Sequence, residues 1–221
     1  MDLLIFDLDG TLIDSRRDLA HAVNAMLSHL GKPELDDERV YSYVGNGAPV
    51  LVRRALGEHA TEAEVQEGLE FFLEYYGEHK LDCTTPYPGV MTALDRLQDA
   101  RKRLAVLTNK PVRISRAIVE GLGMGGHFFA VYGGNSFDFK KPHPIGVARL
   151  IEEAGVPRER AMMIGDSAVD IRTARNAQIF ACGVTYGFQP ETLADPAPDL
   201  LCDSMEEVAA WVLNRKEITA T

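Results

Sequence analysis

Cysteine and basic charge are scarce in this 221-residue chain, and long apolar runs are missing. The three cysteines, Cys83, Cys182 and Cys202, form no Cys-x-x-Cys pair and no metal-ligand spacing. That argues against a zinc module or a disulfide framework and predicts reduced thiols. No stretch reaches the length of a membrane-spanning helix. The opening MDLLIFDLDG holds an apolar run too short for a signal-peptide core and broken by acids, so a cytoplasmic location is expected. Lys and Arg number 23 against 33 Asp and Glu, a formal net charge of -10. Nucleic acids and anionic membranes need clustered cations, so neither is an expected partner. An anionic small molecule would need a cation supplied locally.

What is present is a series of short apolar runs: Leu3 to Phe6, Leu104 to Leu107, Ala161 to Ile164 and Ala181 to Val184. Phe128 to Tyr132 is weaker, and Leu200-Leu201 begins a last one. Such runs suit strands buried on both faces of a parallel sheet. Helical patterns from Pro88 to Asp99, Pro111 to Gly121 and Pro144 to Ala154 separate them. The alternation predicts an α/β fold with a doubly wound, Rossmann-like parallel sheet.

The order breaks once, after the first strand. Ser15 is a plausible helix start, and Leu19, Val23, Met26, Leu27 and Leu30 line one helical face. Short helices are expected from Asp37 to Tyr43 and from Ala48 to Leu56. A capping box at Thr61 to Glu64 leads into Val65, Leu69, Phe72, Leu73 and Tyr76. This predicts an inserted α-helical domain over residues 15–83, with the core formed by 1–14 and 84–221. Hinges are expected near Asp14-Ser15 and from Cys83 to Pro86. Phe71, Phe72, Tyr75 and Tyr76 read as packing within the insert.

Three strands run straight into polar clusters: Asp7-Leu8-Asp9-Gly10-Thr11, Thr108-Asn109-Lys110, and Gly165-Asp166-Ser167 with Asp170 beyond. In a parallel sheet these ends share the edge where ligands bind. Asp7 and Asp9 lie two apart and point to one side of an extended chain. Crowded carboxylates repel unless a cation sits among them, and oxygen donors plus a phosphate form a natural Mg²⁺ site. A carboxylate can also attack phosphorus, provided cations offset the repulsion. Lys140 and Lys141 are both candidates for that charge, and Thr108 for a phosphoryl contact. Asp166 could alternatively cap a helix, with Asp170 in its first turns. His143, between two prolines, reads as a turn residue. Arg53 and Arg54 read as a solvated helix face.

In this order, Asp7-Leu8-Asp9-Gly10-Thr11, Thr108, Lys141-Pro142 and Gly165-Asp166-x-x-x-Asp170 resemble the four motifs of the haloacid dehalogenase-like superfamily. The resemblance spans nearly the whole chain, and the insert resembles that superfamily's α-helical cap. It implies Asp7 as a nucleophile forming an aspartyl-phosphate. It implies Asp9 as general acid and then base, with its backbone carbonyl on Mg²⁺. Thr108 and Lys141 would hold the transferring group, with Lys141 also orienting Asp7. Asp166 would ligate the metal, and Asp170 would support it directly or through a neighbour. Thr11 would help position Asp9. Thr11, Asn109, Asn46 and Gly47 are the candidate substrate contacts, the last two in the cap loop Gly45-Asn46-Gly47.

Within the superfamily the chain most resembles the phosphoglycolate phosphatase branch. The residues behind this are Asp7 through Ser15, Val44 to Gly47, Tyr87-Pro88-Gly89-Val90 and Lys140 to Pro144. Asn135 departs from it where many relatives carry Asp. The implied substrate is 2-phosphoglycolate. Pyrophosphate, nucleotides, sugar phosphates and a β-phosphoglucomutase-like phosphomutase reaction remain alternatives. Asp9 argues against a dehalogenase, and the full charged set argues against a non-catalytic binding protein. A monomer or homodimer is expected.

Overall fold

The computed structural model describes residues 1–214. Six strands form one parallel sheet: β1 (Leu3–Phe6), β4 (Arg103–Leu107), β5 (Ala130–Tyr132), β6 (Ala161–Gly165), β7 (Phe180–Val184) and β8 (Leu200–Cys202). Their order is β5-β4-β1-β6-β7-β8. The first strand is therefore central, bonded to β4 from Leu3↔Arg103 and to β6 from Leu3↔Ala161. All six apolar runs became strands, the weak one shortened to Ala130–Tyr132.

Period-two alternation sorts β1 between two cores. Leu4 and Phe6 pack with α5 (Val90–Asp99), α6 (Val112–Gly121) and α9 (Met205–Asn214). Leu3 and Ile5 pack with α7 (Ile145–Ala154) and α8 (Ala168–Ala177). All four side chains are fully buried, which stabilises the fold by roughly 1.5–3 kcal/mol each. Helices on both faces make the sheet doubly wound.

The inserted segment holds four helices: α1 (Arg16–His29), α2 (Asp37–Tyr41), α3 (Ala48–Leu56) and α4 (Glu62–His79). Asp36 accepts from the Arg39 N–H to start α2, and Thr61 and Glu64 form the expected reciprocal cap on α4. The second helix ends at Tyr41, two residues before the expected Tyr43. Ser15 precedes α1 but does not cap it with its side chain. Its hydroxyl donates instead to Asp9 Oδ1 at 2.5 Å.

Two short strands that the sequence pattern did not announce join cap and core. They are β2 (Ile13–Asp14) and β3 (Thr85–Pro86), antiparallel, pairing Ile13↔Pro86 and Asp14↔Thr85. Asp18, buried on α1, clips this ribbon. It accepts from the N–H groups of Cys83 and Thr84 and from the Thr84 hydroxyl. A carboxylate with that many donors is satisfied despite its burial.

Candidate active site

The C-terminal ends of β1, β4 and β6 converge under the cap. After β1 the chain turns at Gly10, φ +79°, where a side chain would collide with the Asp166 carboxylate. Glycine therefore allows the first acidic loop and the third to touch. Asp7 Oδ1 accepts from the Leu8 N–H at 2.7 Å and from Lys141 Nζ at 2.9 Å. Both donors meet the same oxygen and leave Oδ2 without either of them.

Lys141 is 4 % exposed and bridges Asp7 to Asp170, whose Oδ1 lies 2.6 Å away. Burial opposes its charge, but Asp170 and Asp7 outweigh that and hold its pKa raised. Lys140, the other candidate, reaches the cap instead and donates to Asn46 O at 2.6 Å.

Asp166 does not cap a helix. The residue before α8 is Ser167, whose N–H and hydroxyl both donate to Asp170 Oδ2. Both oxygens of Asp170 are thus engaged, one by Lys141 and one by Ser167. Asp166 accepts from the Phe188 N–H at 2.7 Å and from the Thr11 hydroxyl at 3.3 Å. Thr11 therefore serves the third loop and does not line the cavity.

Asp7, Asp166 and Asp170 bring carboxylate oxygens within 4.8 Å of one another, all buried. Burial pushes Asp7 up to about 6 against the pull of Lys141. Burial, with Asp170 and Asp7 alongside, pushes Asp166 up to about 8. The protein's own groups leave this cluster short of positive charge. Hard oxygen donors at that spacing can hold a divalent cation. The carboxylate of Asp9 stands outside the cluster, turned toward Lys110, whose Nζ lies 2.8 and 2.9 Å from its two oxygens.

A cavity of about 50 Å³ separates this floor from the cap. Asp7, Asp9, Thr108 and Asp166 line it below; Leu19, Leu51, Phe72 and Tyr76 line it above. Gly47 lies on its wall, while Asn46 does not. Asn109 acts as a clasp: its Nδ2 donates to Gly45 O in the cap and to Lys141 O in the core, each at 3.1 Å. Gln189 adds a second clasp, donating to Val44 O at 2.9 Å.

Several residues fall where the sequence pattern put them, away from the cavity. Arg53 pairs with Glu62 at 2.7 Å on the surface, and Arg54 donates to Tyr43 O. His143 stacks on Phe139 with ring centroids 4.6 Å apart. Asn135 accepts from the Val112 N–H at the start of α6. Lys110 was expected at the strand end but given no role, and Gln189 and Tyr76 were not expected at the site. Tyr76 shares the helical spacing of the packing residues around it, but α4 leans its end over the floor. Burial pushes its phenol up to about 12.

The family model described as haloacid dehalogenase-like hydrolase matches residues 4–184. The chain belongs to this family, and within it is a phosphatase. It is 40% identical over 207 residues to a phosphoglycolate phosphatase from Chromobacterium violaceum, covering 92% of each chain. It is 38% identical over 218 residues to one from Pseudomonas savastanoi pv. phaseolicola, covering 96% of this chain and 80% of that one. The crystal structure of a predicted phosphoglycolate phosphatase from Haemophilus somnus superposes with a TM-score of 0.90 at 32% identity, covering 96% of this chain and 97% of that one.

Proposed function

We propose that the chain hydrolyses 2-phosphoglycolate through an aspartyl-phosphate on Asp7, with Mg²⁺ held by Asp7, Asp166 and the Asp9 backbone carbonyl. Asp170 then acts through Lys141 and Ser167, because both its oxygens are already engaged. The ion supplies charge neutralisation that brings an anionic nucleophile and an anionic ester together.

The observation that carries the reading is the Lys141 bridge. A buried ammonium fixes one oxygen of Asp7, leaving its partner free for phosphorus, and adds positive charge where the transferring group would sit. Thr108 contributes its hydroxyl to that group. Asp9 protonates the leaving alkoxide and then activates water for attack on the acyl phosphate. Its position beside Asp7 on the same loop suits one residue doing both.

The relatives' names support the substrate: two that match over most of the chain, at 38% and 40% identity, are phosphoglycolate phosphatases. The test is a phosphate-release screen in Mg²⁺ over 2-phosphoglycolate, pyrophosphate, sugar phosphates and nucleotides. We expect 2-phosphoglycolate to give the highest kcat/KM. Equal or faster release from another ester would remove that substrate. No release from any would remove the phosphatase mechanism.

A further inference from the structure

The floor accounts for the phosphoryl end of a substrate and leaves the other end without a partner. Leu19, Leu51, Phe72 and Ile114 supply apolar wall. An anion entering such a wall must meet a donor or a cation. Most polar groups there are already engaged. Lys141 is held by Asp7 and Asp170, the Asn109 Nδ2 by Gly45 O and Lys141 O, and the Gln189 Nε2 by Val44 O, while the unpartnered Asn109 Oδ1 is an acceptor and cannot serve an anion.

Two donors remain for that end, and they face each other. Tyr76 is 1 % exposed and lines the cavity; its hydroxyl faces the Lys110 ammonium just beyond ordinary hydrogen-bond distance, and its proton has no acceptor. A buried phenol proton left without an acceptor is destabilising, and a ligand oxygen would relieve that. Lys110 Nζ lies 4.5 Å from the centre of the Tyr76 ring, and its side chain is 4 % exposed. Two of its three N–H directions are spent on Asp9. One group comes from the core and the other from the cap, so only the closed form assembles the pair.

We infer that Lys110 and Tyr76 form an anion subsite that takes the carboxylate of a short phosphomonoester as the cap closes. It rests on the phosphatase reading for its phosphoryl end, and it adds the substrate class: esters whose leaving alcohol carries one carboxylate a carbon or two away. It also joins recognition to chemistry. While Lys110 spans both Asp9 oxygens, it occupies the positions a transferable proton needs. A substrate carboxylate that draws Lys110 toward itself frees Asp9 to act. A neutral ester of the same length lacks that lever.

Binding measured without turnover tests the subsite separately from the reaction. In Asp7→Asn protein with Mg²⁺, calorimetric titration compares 2-phosphoglycolate with ethyl phosphate, which replaces the carboxylate by a methyl group. We expect 2-phosphoglycolate to bind about 100-fold tighter. Adding Tyr76→Phe should cut that ratio to about tenfold, and adding Lys110→Gln should bring it to about one. Tyr76→Phe removes a single oxygen and keeps the ring stacked on Phe72 at 5.6 Å, so it leaves the cap intact even if the lysine variant folds poorly. A ratio near one in the Asp7→Asn parent, or one that Tyr76→Phe leaves unchanged, overturns the subsite. If the ratios behave as stated while the unmutated protein releases no phosphate, the phosphatase reading fails and the subsite stands.

Discussion

The floor and the roof of the cavity are built on opposite principles. The floor is charged and tightly engaged: Asp170 has both oxygens occupied, and Lys141 sits between two carboxylates. It rests on the ends of parallel strands, whose positions the sheet fixes. The roof is apolar, carried on helices, and meets the core through a few clasps at Asn109, Gln189 and Lys140. Chemistry needs groups held to fractions of an ångström, so it belongs on the sheet. Selection of a substrate needs a surface that comes and goes, so it belongs on the cap. Substitutions in the floor should therefore strike kcat, and those in the roof KM and selectivity.

The largest effect should come from the floor. Asp7→Asn removes the proposed nucleophile and should lower phosphate release by on the order of 10⁴-fold or more, with an unchanged circular dichroism spectrum. Release near the unmutated rate would mean that the sheet edge is not where the chemistry happens. Asp9→Asn should follow. With an alkyl phosphate the loss should reach roughly 10²–10⁴-fold, since the alkoxide then leaves unprotonated. With p-nitrophenyl phosphate, whose leaving group needs little protonation, it should be much smaller. Equal losses on both would deny Asp9 the acid role.

The roof should answer differently. Gly47 adopts φ +86°, and a Cβ there would lie 3.0 Å from Asn109 O and 3.3 Å from Lys140 Nζ. With ψ 162° the residue sits in a region open essentially to glycine alone, so Gly47→Ala strains the loop and wedges the seam between cap and core, costing about 1–3 kcal/mol at the backbone alone. We expect KM to rise several-fold with kcat changed less. A fall in kcat at constant KM would place Gly47 with the floor.

The same contrast governs what a reader of the sequence could see. Strands end in Asp7, Thr108 and Asp166 because buried apolar runs stop where water or ligand begins, and that boundary is visible along the chain. Lys141 was narrowed only by its place before Pro142. Lys110 stood in plain view beside Thr108, but its partner Asp9 is 101 residues away, and nothing local announces such a pairing. Tyr76 was hidden more deeply. It falls on the same helical stripe as Val65, Leu69 and Phe72, and only the packing of α4 over the sheet sets its hydroxyl beside Lys110 with no acceptor for its proton. The strands that join cap and core, Ile13–Asp14 and Thr85–Pro86, are two residues long, too short for any period to register.

The smallest effect is on stability, and it isolates the floor's unbalanced charge. Asp7 and Asp166 have pKa values raised above 3.8, to about 6 and about 8. Between 3.8 and those values the folded state holds protons that the unfolded chain has released. Stability contributed by these groups therefore falls as pH rises through that window. Mg²⁺ bound to the folded form opposes the fall, and more so at higher pH, where fewer protons compete for the same oxygens. Urea midpoints measured from pH 5 to pH 8, once in EDTA and once in Mg²⁺, should diverge as pH rises, with Mg²⁺ the higher curve. Other titrating groups affect both series alike and cancel in the difference. The same titration in Asp166→Asn protein should shrink the gap, because the most strongly perturbed carboxylate is gone. A gap that stayed constant with pH would show that the cation is not held by this cluster, and the contrast between a charged floor and an apolar roof would lose its cause.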